Sequence, residues 1–243
     1  LHCCSNIPLP PLPIFFGRRL FLSVRSYFER TAENFDALYE GRRNWSYSFN
    51  RVFRKGLFQR IDKTKETLEG MQGFTVLDVG CGSGRNSALF AGLGARRVVG
   101  IDFSAPMLEL AREYARAARV VEICEFIEAD FLEYPFQETF DVVVALGVFD
   151  YIADPVRALK RMTELASGKV VASFPGVSPI RAPLRKFRYA LRDCPVYFYT
   201  GARLRQICHD AGLAKFRIDK LASSGYMLVG KKGAAKERLI ANA

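Results

Sequence analysis

The chain has 243 residues, of which 49% are apolar, 13% aromatic and 25% charged, which is typical of one globular domain and excludes a disordered or fibrous protein. No apolar run approaches the roughly eighteen residues of a membrane span. The six cysteines lack the C-x-x-C spacing of a zinc site, so we expect no metal. The net charge of +11 is concentrated near the C-terminus, where residues 178–243 hold 14 basic and 4 acidic side chains. Free thiols favour a reducing compartment, so we expect a cytoplasmic protein.

Two segments come before the first predicted strand. Residues 1–17 hold four prolines within six positions and cannot form a helix, so we expect a disordered leader there. Residues 18–73 carry apolar residues at helical spacing and predict two amphipathic helices, over 18–40 and 46–69. Their aromatic side chains either pack between the helices or line a pocket, and we expect the helices to form a lid over a pocket in the next domain.

A strand over residues 74–79 runs into three glycines, Gly80, Gly82 and Gly84. A turn this poor in side chains lets a ligand approach the backbone closely. Asp78 lies at the end of the strand, where its charge needs a donor, and a cationic or amine-bearing ligand would supply one. The spacing differs from the dinucleotide fingerprint G-x-G-x-x-G, because Arg85 follows the third glycine.

The second predicted strand, over residues 97–101, ends in Asp102. This residue follows Gly80 by 22 positions, close to the roughly 20 at which a carboxylate accepts the ribose hydroxyls in a strand-helix-strand nucleoside site. Ser104, with a proline two residues later, predicts the start of the next helix with a serine N-cap.

The third predicted strand, over residues 125–129, ends in Asp130 and Phe131. This pair suits an adenine, because the carboxylate can accept a hydrogen bond from the exocyclic amine and an aromatic ring can pack on the base. A strand-end loop with a buried phenylalanine is the alternative interpretation.

The fourth predicted strand, over residues 140–146, is continuously apolar, as in a central parallel strand buried on both faces. A loop with the titratable residues Asp150 and Tyr151 follows it, and Asp154 is expected to cap the next helix, over 155–166. That helix is predicted to end at Gly168, before a fifth strand over residues 169–174.

The segments VLDVGCGSGR, VVGIDFS, FIEADFLEYPF and FDVVVALGVFDYIADP follow one another in this order. Over about residues 74–174, their order and spacing resemble the class I S-adenosylmethionine-dependent methyltransferases. The resemblance implies an α/β fold, with a Rossmann-like, seven-stranded, mostly parallel sheet, helices on both faces and an antiparallel edge hairpin. It also implies S-adenosylmethionine as the cofactor.

The same resemblance implies roles for individual residues. Asp78 and the loop Gly80–Gly82, which contains Cys81, are expected near the methionyl part of the cofactor, and Asp102 at its ribose. Asp130 and Phe131 are expected at the adenine, and Leu146 beside the sulfonium. We count three further residues among the cofactor-binding set: Gly84, Phe103 and Met107.

The C-terminal part of the predicted methyltransferase domain, residues 74–230, carries an insertion. It spans residues 176–199 and contains a basic helical segment over 180–193. A helix over 202–211 and two strands, over 214–221 and 225–229, match the expected edge hairpin, and residues 231–243 are predicted to form a charged tail.

Some segments, including YFERTAENFDALY, are also loosely similar to the ubiquinone-pathway and magnesium-protoporphyrin O-methyltransferases. The loop LGVFDYIADP lacks the histidine that the tetrapyrrole enzymes carry there, so Asp150 and Tyr151 are the candidates for a catalytic base. Alternatively, Asp150 only solvates its loop.

Three functions are compatible with this sequence. The first is methyl transfer to a small acceptor that is anionic or aromatic, most readily at oxygen. The second is RNA methylation through the basic C-terminal flank, although no RNA-binding module accompanies that charge. The third is a module that keeps the cofactor pocket as a scaffold. The sequence is compatible with peripheral contact with a membrane surface, and it predicts no oligomeric state.

Overall fold

A computed structural model describes residues 47–178, 183, 194–222 and 225–232, together with 24, 26 and 27. Four predicted segments lie wholly or mostly outside the described residues: the leader, the helix over 18–40, the basic helix over 180–193 and residues 233–243 of the tail.

Seven strands form one sheet: β1 (Thr75–Val79), β2 (Arg97–Asp102), β3 (Cys124–Glu128), β4 (Phe140–Ala145), β5 (Ala166–Phe174), β6 (Leu213–Lys220) and β7 (Tyr226–Lys232). Their spatial order is β3-β2-β1-β4-β5-β7-β6. The first five strands are parallel, whereas β7 runs antiparallel to both β5 and β6. The predicted mostly parallel sheet with an antiparallel edge hairpin is therefore confirmed.

Five helices lie wholly within the described residues: α1 (Tyr47–Leu68), α2 (Arg85–Gly92), α3 (Ala105–Ala117), α4 (Pro155–Leu165) and α5 (Gly201–Asp210). Side chains of α1, α2 and α3 pack with Val76 and Val144 on one face of the sheet. Those of α4 and α5 pack with Leu77 and Val143 on the other face. Since the central strands are covered on both sides, their sequences are almost continuously apolar. None of the helices within the described ranges is long and apolar enough to cross a membrane.

The boundary between α4 and β5 differs from the prediction. The helix ends at Leu165, and β5 begins at once at Ala166 instead of at residue 169. Gly168 does not end the helix; it lies within the strand, where an added Cβ would come within 2.6 Å of the carbonyl oxygen of Asp141 on β4. This glycine is needed because two backbones approach closely, which is a tertiary contact.

The predicted start of the charged tail at residue 231 was also wrong. Lys231 and Lys232 belong to β7 and not to a tail, because that strand has hydrogen-bonded neighbours on both sides. Ser104 occupies the N-cap position of α3, as predicted, although its side chain makes no capping hydrogen bond. Asp154 does cap α4, since its side chain accepts from the backbone N–H of Arg157 at 3.0 Å.

Candidate active site

The glycine loop follows β1, between the carboxyl ends of β2 and β4. The strand order reverses at this point, and open α/β sheets bind their ligands at such a position. The backbone N–H groups of Gly80 and Cys81 both donate to the carbonyl oxygen of Ile101, at 2.8 and 3.2 Å. The loop is thereby held against the end of β2.

Asp102 connects the glycine loop to the start of α3 through two hydrogen bonds. Its Oδ2 accepts from the Gly82 N–H at 2.9 Å, and its Oδ1 accepts from the Ser104 N–H at 3.0 Å. Burial raises the pKa of this carboxyl, whereas the backbone donors lower it. Each carboxylate oxygen can accept more than one hydrogen bond, so both keep capacity for a ligand hydroxyl.

Asp78 is a buried carboxyl with a partner inside the protein. The Ser87 hydroxyl, in the first turn of α2, donates to Asp78 Oδ2 at 2.6 Å. Burial raises the pKa of Asp78 to about 7, the bond from Ser87 opposes that shift, and the negative charge of Asp102 adds to it. The charge that the sequence predicts to need a ligand is thus partly compensated by a serine nine residues away.

Gly84 and Gly82 are each required for a different structural reason. An added Cβ at Gly84 would lie 2.8 Å from the Ala111 side chain, so this position brings α2 close to α3. Apart from its neighbours along the chain, no atom of the described residues lies within 4 Å of the place that a Cβ would take at Gly82, where φ is +52°. Side chains rarely adopt that conformation, and the open space leaves the backbone accessible to a ligand.

The other predicted cofactor residues lie at the same edge of the sheet. Phe103 is half-buried after β2, and Met107 is buried in α3. Asp130 Oδ1 accepts from the Leu132 N–H at 2.9 Å, which makes a tight turn after β3. Phe131 is 8% exposed and packs in the core, with its ring centroid 6.4 Å from that of Phe136. Their contacts with a cofactor stay a prediction.

The end of β4 carries the predicted base. Leu146 is half-buried, and the next N–H, that of Gly147, donates to the Ser173 hydroxyl at 2.8 Å. Asp150 is buried, and its backbone carbonyl accepts from the Tyr197 N–H at 2.9 Å. The C-terminal end of the predicted insertion therefore meets the loop after β4.

A small apolar cluster covers this edge. Val24, Tyr27 and Cys194 are buried in it, and Phe103 and Tyr151 pack against them with Val196. The cluster joins the N-terminal segment, the end of β2, the loop after β4 and the C-terminal part of the predicted insertion. Cys81 lies below it in the loop, where burial raises the pKa of its thiol well above the ordinary range.

Sequence reasoning missed two side chains here, Ser87 and Arg60. The helical spacing of α1 indicates the orientation of Arg60: Thr64 and Leu68 follow it at intervals of four and are both buried, which places Arg60 on the inward face of the helix.

Within the described part of the chain, no group of three or more histidine, cysteine or acidic side chains could hold a metal ion.

Comparisons with known proteins agree with this geometry. Residues 76–167 match the family model described as "Methyltransferase domain". The ubiquinone biosynthesis O-methyltransferase of Alkalilimnicola ehrlichii is 33% identical over 116 residues, which cover 47% of this chain and 47% of that protein. The tRNA U34 carboxymethyltransferase of Shewanella baltica is 33% identical over 103 residues, covering 42% of this chain and 31% of that protein. The chain thus spans less than half the length of these curated relatives.

The fold has a close counterpart among solved structures. The magnesium protoporphyrin IX methyltransferase of Synechocystis, crystallised with S-adenosylhomocysteine, superposes with a TM-score of 0.72 at 23% identity. The match covers 88% of this chain and 100% of that one. The family match confirms the predicted methyltransferase domain over residues 76–167, and the superposition confirms the seven-stranded fold. Residues 76–167 therefore carry a methyltransferase domain, on the fold that is also seen in the magnesium protoporphyrin IX methyltransferase.

Proposed function

We propose that this chain transfers a methyl group from S-adenosylmethionine to a small acceptor, anionic or aromatic, at an oxygen atom. The observation that carries the proposal is the cluster of Val24, Tyr27 and Cys194 on Phe103 and Tyr151, because it covers the edge of the sheet where the acceptor has to enter. A covered edge suits a small molecule better than a polymer. In this proposal the N-terminal helices act as the lid.

The residues at the edge fit the cofactor. Gly82 leaves open space for close approach, and Asp102 keeps acceptor capacity for the two ribose hydroxyls. Asp78 offers a buried negative charge for the ammonium group of the methionyl part. When bound, the cofactor supplies an electrophilic methyl group on a sulfonium.

The protein has two tasks in such a transfer. It aligns the acceptor oxygen with the methyl group, and it keeps water away while the sulfur leaves as a neutral thioether. A hydroxyl acceptor must also lose a proton, and Asp150 and Tyr151 lie where a base would be needed. The low exposure of Asp150, 5%, is consistent with a site that is closed to water.

Replacing Asp150 with asparagine is expected to lower kcat about 100-fold while cofactor affinity stays unchanged. A positioned general base contributes roughly 10²- to 10⁴-fold, and asparagine keeps the shape of the side chain without its basicity. The check is single-turnover kinetics from pH 6 to 9, with calorimetry of S-adenosylhomocysteine binding as the control. A kcat equal to that of the wild type would remove Asp150 from the mechanism.

A turnover screen tests the proposed function directly. The full chain is incubated with S-adenosylmethionine that carries a labelled methyl group, together with phenols, catechols, aromatic carboxylates or bulk tRNA. We expect label in at least one of the small acceptors. Label in tRNA alone would contradict the proposal.

RNA methylation is the alternative, supported by the basic flank over residues 178–243 and by the tRNA-modifying relative. Phosphate contacts make RNA binding strongly dependent on salt. Retention of bulk tRNA at 50 mM salt that is lost by 200 mM would favour this alternative, and absence of retention at low salt would exclude it.

We also propose a cytoplasmic location. It is supported by four buried cysteines in the described residues that form no disulfide: Cys81, Cys124, Cys194 and Cys208.

A further inference from the structure

Arg60 lies on the inward face of α1, in a part of that helix that is anchored on two sides. Thr64 and Leu68, one and two turns later, are 0% and 2% exposed. The neighbouring Gln59 accepts from the Ala222 N–H at 2.9 Å, and Lys169 Nζ donates to the Thr67 carbonyl at 2.6 Å. The position of Arg60 over the sheet is therefore set by the fold.

Its guanidinium reaches the carboxyl end of β4. A methyl group at Gly147 would lie 3.5 Å from Arg60 Nη1. The Gly147 N–H is itself fixed by the Ser173 hydroxyl, at 2.8 Å. Gly147 directly follows Leu146 and precedes Asp150 by three residues, so the guanidinium borders the space in which we propose that the acceptor binds.

The charge of this guanidinium is not matched within the described part of the chain. Arg60 Nε is buried and has no hydrogen-bond partner there, and no ion pair to Arg60 occurs among the same residues. A buried donor without an acceptor is costly, and a ligand that supplied an acceptor would offset this cost.

We infer that Arg60 binds the anionic group of the acceptor and selects acceptors that carry a carboxylate or a similar oxyanion. The planar guanidinium can give two parallel N–H donors to the two oxygens of a carboxylate, which a lysine cannot do. The inference rests on the proposed function, because it assigns one contact of the acceptor in that site. It makes Arg60 a specificity residue, with the reaction itself taking place at the end of β4.

The test uses benzoate as an anionic probe and benzamide as its neutral counterpart. The full chain is first loaded with S-adenosylhomocysteine, and the binding of each probe is then measured by calorimetry. We expect wild-type protein to bind benzoate at least tenfold more tightly than benzamide. Arg60→Gln is expected to lose at least tenfold for benzoate and nothing for benzamide, and Arg60→Lys to fall between the two.

Lys65→Gln is the matched control, since it removes the same charge from an exposed position of the same helix and should bind benzoate like the wild type. Thermal melting shows whether each variant is folded. Equal binding of benzoate and benzamide to wild-type protein, or unchanged benzoate binding in Arg60→Gln, would overturn the inference. A chain that fails to bind S-adenosylhomocysteine at all would instead refute the proposed function.

Discussion

Replacing Asp78 with asparagine is expected to stabilise the ligand-free protein by about 4 kcal/mol at pH 8, relative to the wild type. Burial raises the pKa of this carboxyl from 3.8 to about 7. The folded state therefore holds a proton that the unfolded state has lost between those two pH values. Wild-type stability consequently falls as the pH rises from about 4 to about 7 and then levels off. The asparagine side chain carries no such penalty and can still accept from Ser87.

Urea unfolding at pH 4.5 and pH 8 measures this effect. The free energy of unfolding should differ little between the two proteins at pH 4.5 and should favour Asp78→Asn at pH 8. Asp141→Asn is a control of opposite sign, because hydrogen bonds from Thr75 hold the pKa of Asp141 below its ordinary value. That variant should lose stability at pH 8. The same difference for Asp78→Asn at both pH values would contradict the assignment.

The cost of the buried Asp78 carboxyl has a functional interpretation. A protein that gains stability by losing a charge usually keeps that charge for binding or catalysis. In the site proposed above, the ammonium group of the cofactor supplies the missing counter-charge and favours the ionised carboxylate. Stability without ligand and affinity for ligand should therefore change in opposite directions in the asparagine variant.

The central strands β1 and β4 were predictable because each is a mostly apolar segment bounded by polar or glycine-rich residues. The position of β1 follows from the glycines after it, and that of β4 from its unbroken apolar run. The boundary at β5 was not predictable, since Gly168 serves a contact with Asp141, 27 residues away on β4. Such a contact leaves no local pattern in the sequence.

The same distinction holds within the site. Acidic residues at strand ends could be located because parallel strands place their carboxyl ends on one edge, and Asp78 and Asp102 do meet there. The partner of Asp78 was taken to be a ligand, whereas the structure provides Ser87. The place of Arg60 in the site was not predicted. Its neighbour Gly147 is 87 residues away in the sequence, and α1 was interpreted by its apolar positions alone.

Replacing Asp102 with alanine is expected to weaken cofactor binding by about 3 kcal/mol, or roughly 100-fold in Kd. In the proposed site, the variant would lose the two contacts between the charged Asp102 carboxylate and the ribose hydroxyls. It also releases the N–H groups of Gly82 and Ser104, which Asp102 now holds at 2.9 and 3.0 Å, so the loop that approaches the cofactor becomes less well positioned. Both effects act on the same ligand, and calorimetry with S-adenosylhomocysteine measures their sum.

Asp154→Ala is the matched control for this measurement. Its carboxylate also accepts a backbone N–H, that of Arg157, but it is exposed at the start of α4. This variant should lose about 1 kcal/mol of stability as a helix cap and none of its cofactor affinity. If Asp102→Ala bound the cofactor as tightly as Asp154→Ala, the bond from Asp102 to Gly82 would serve only the fold, and the ribose would have to be held by other side chains.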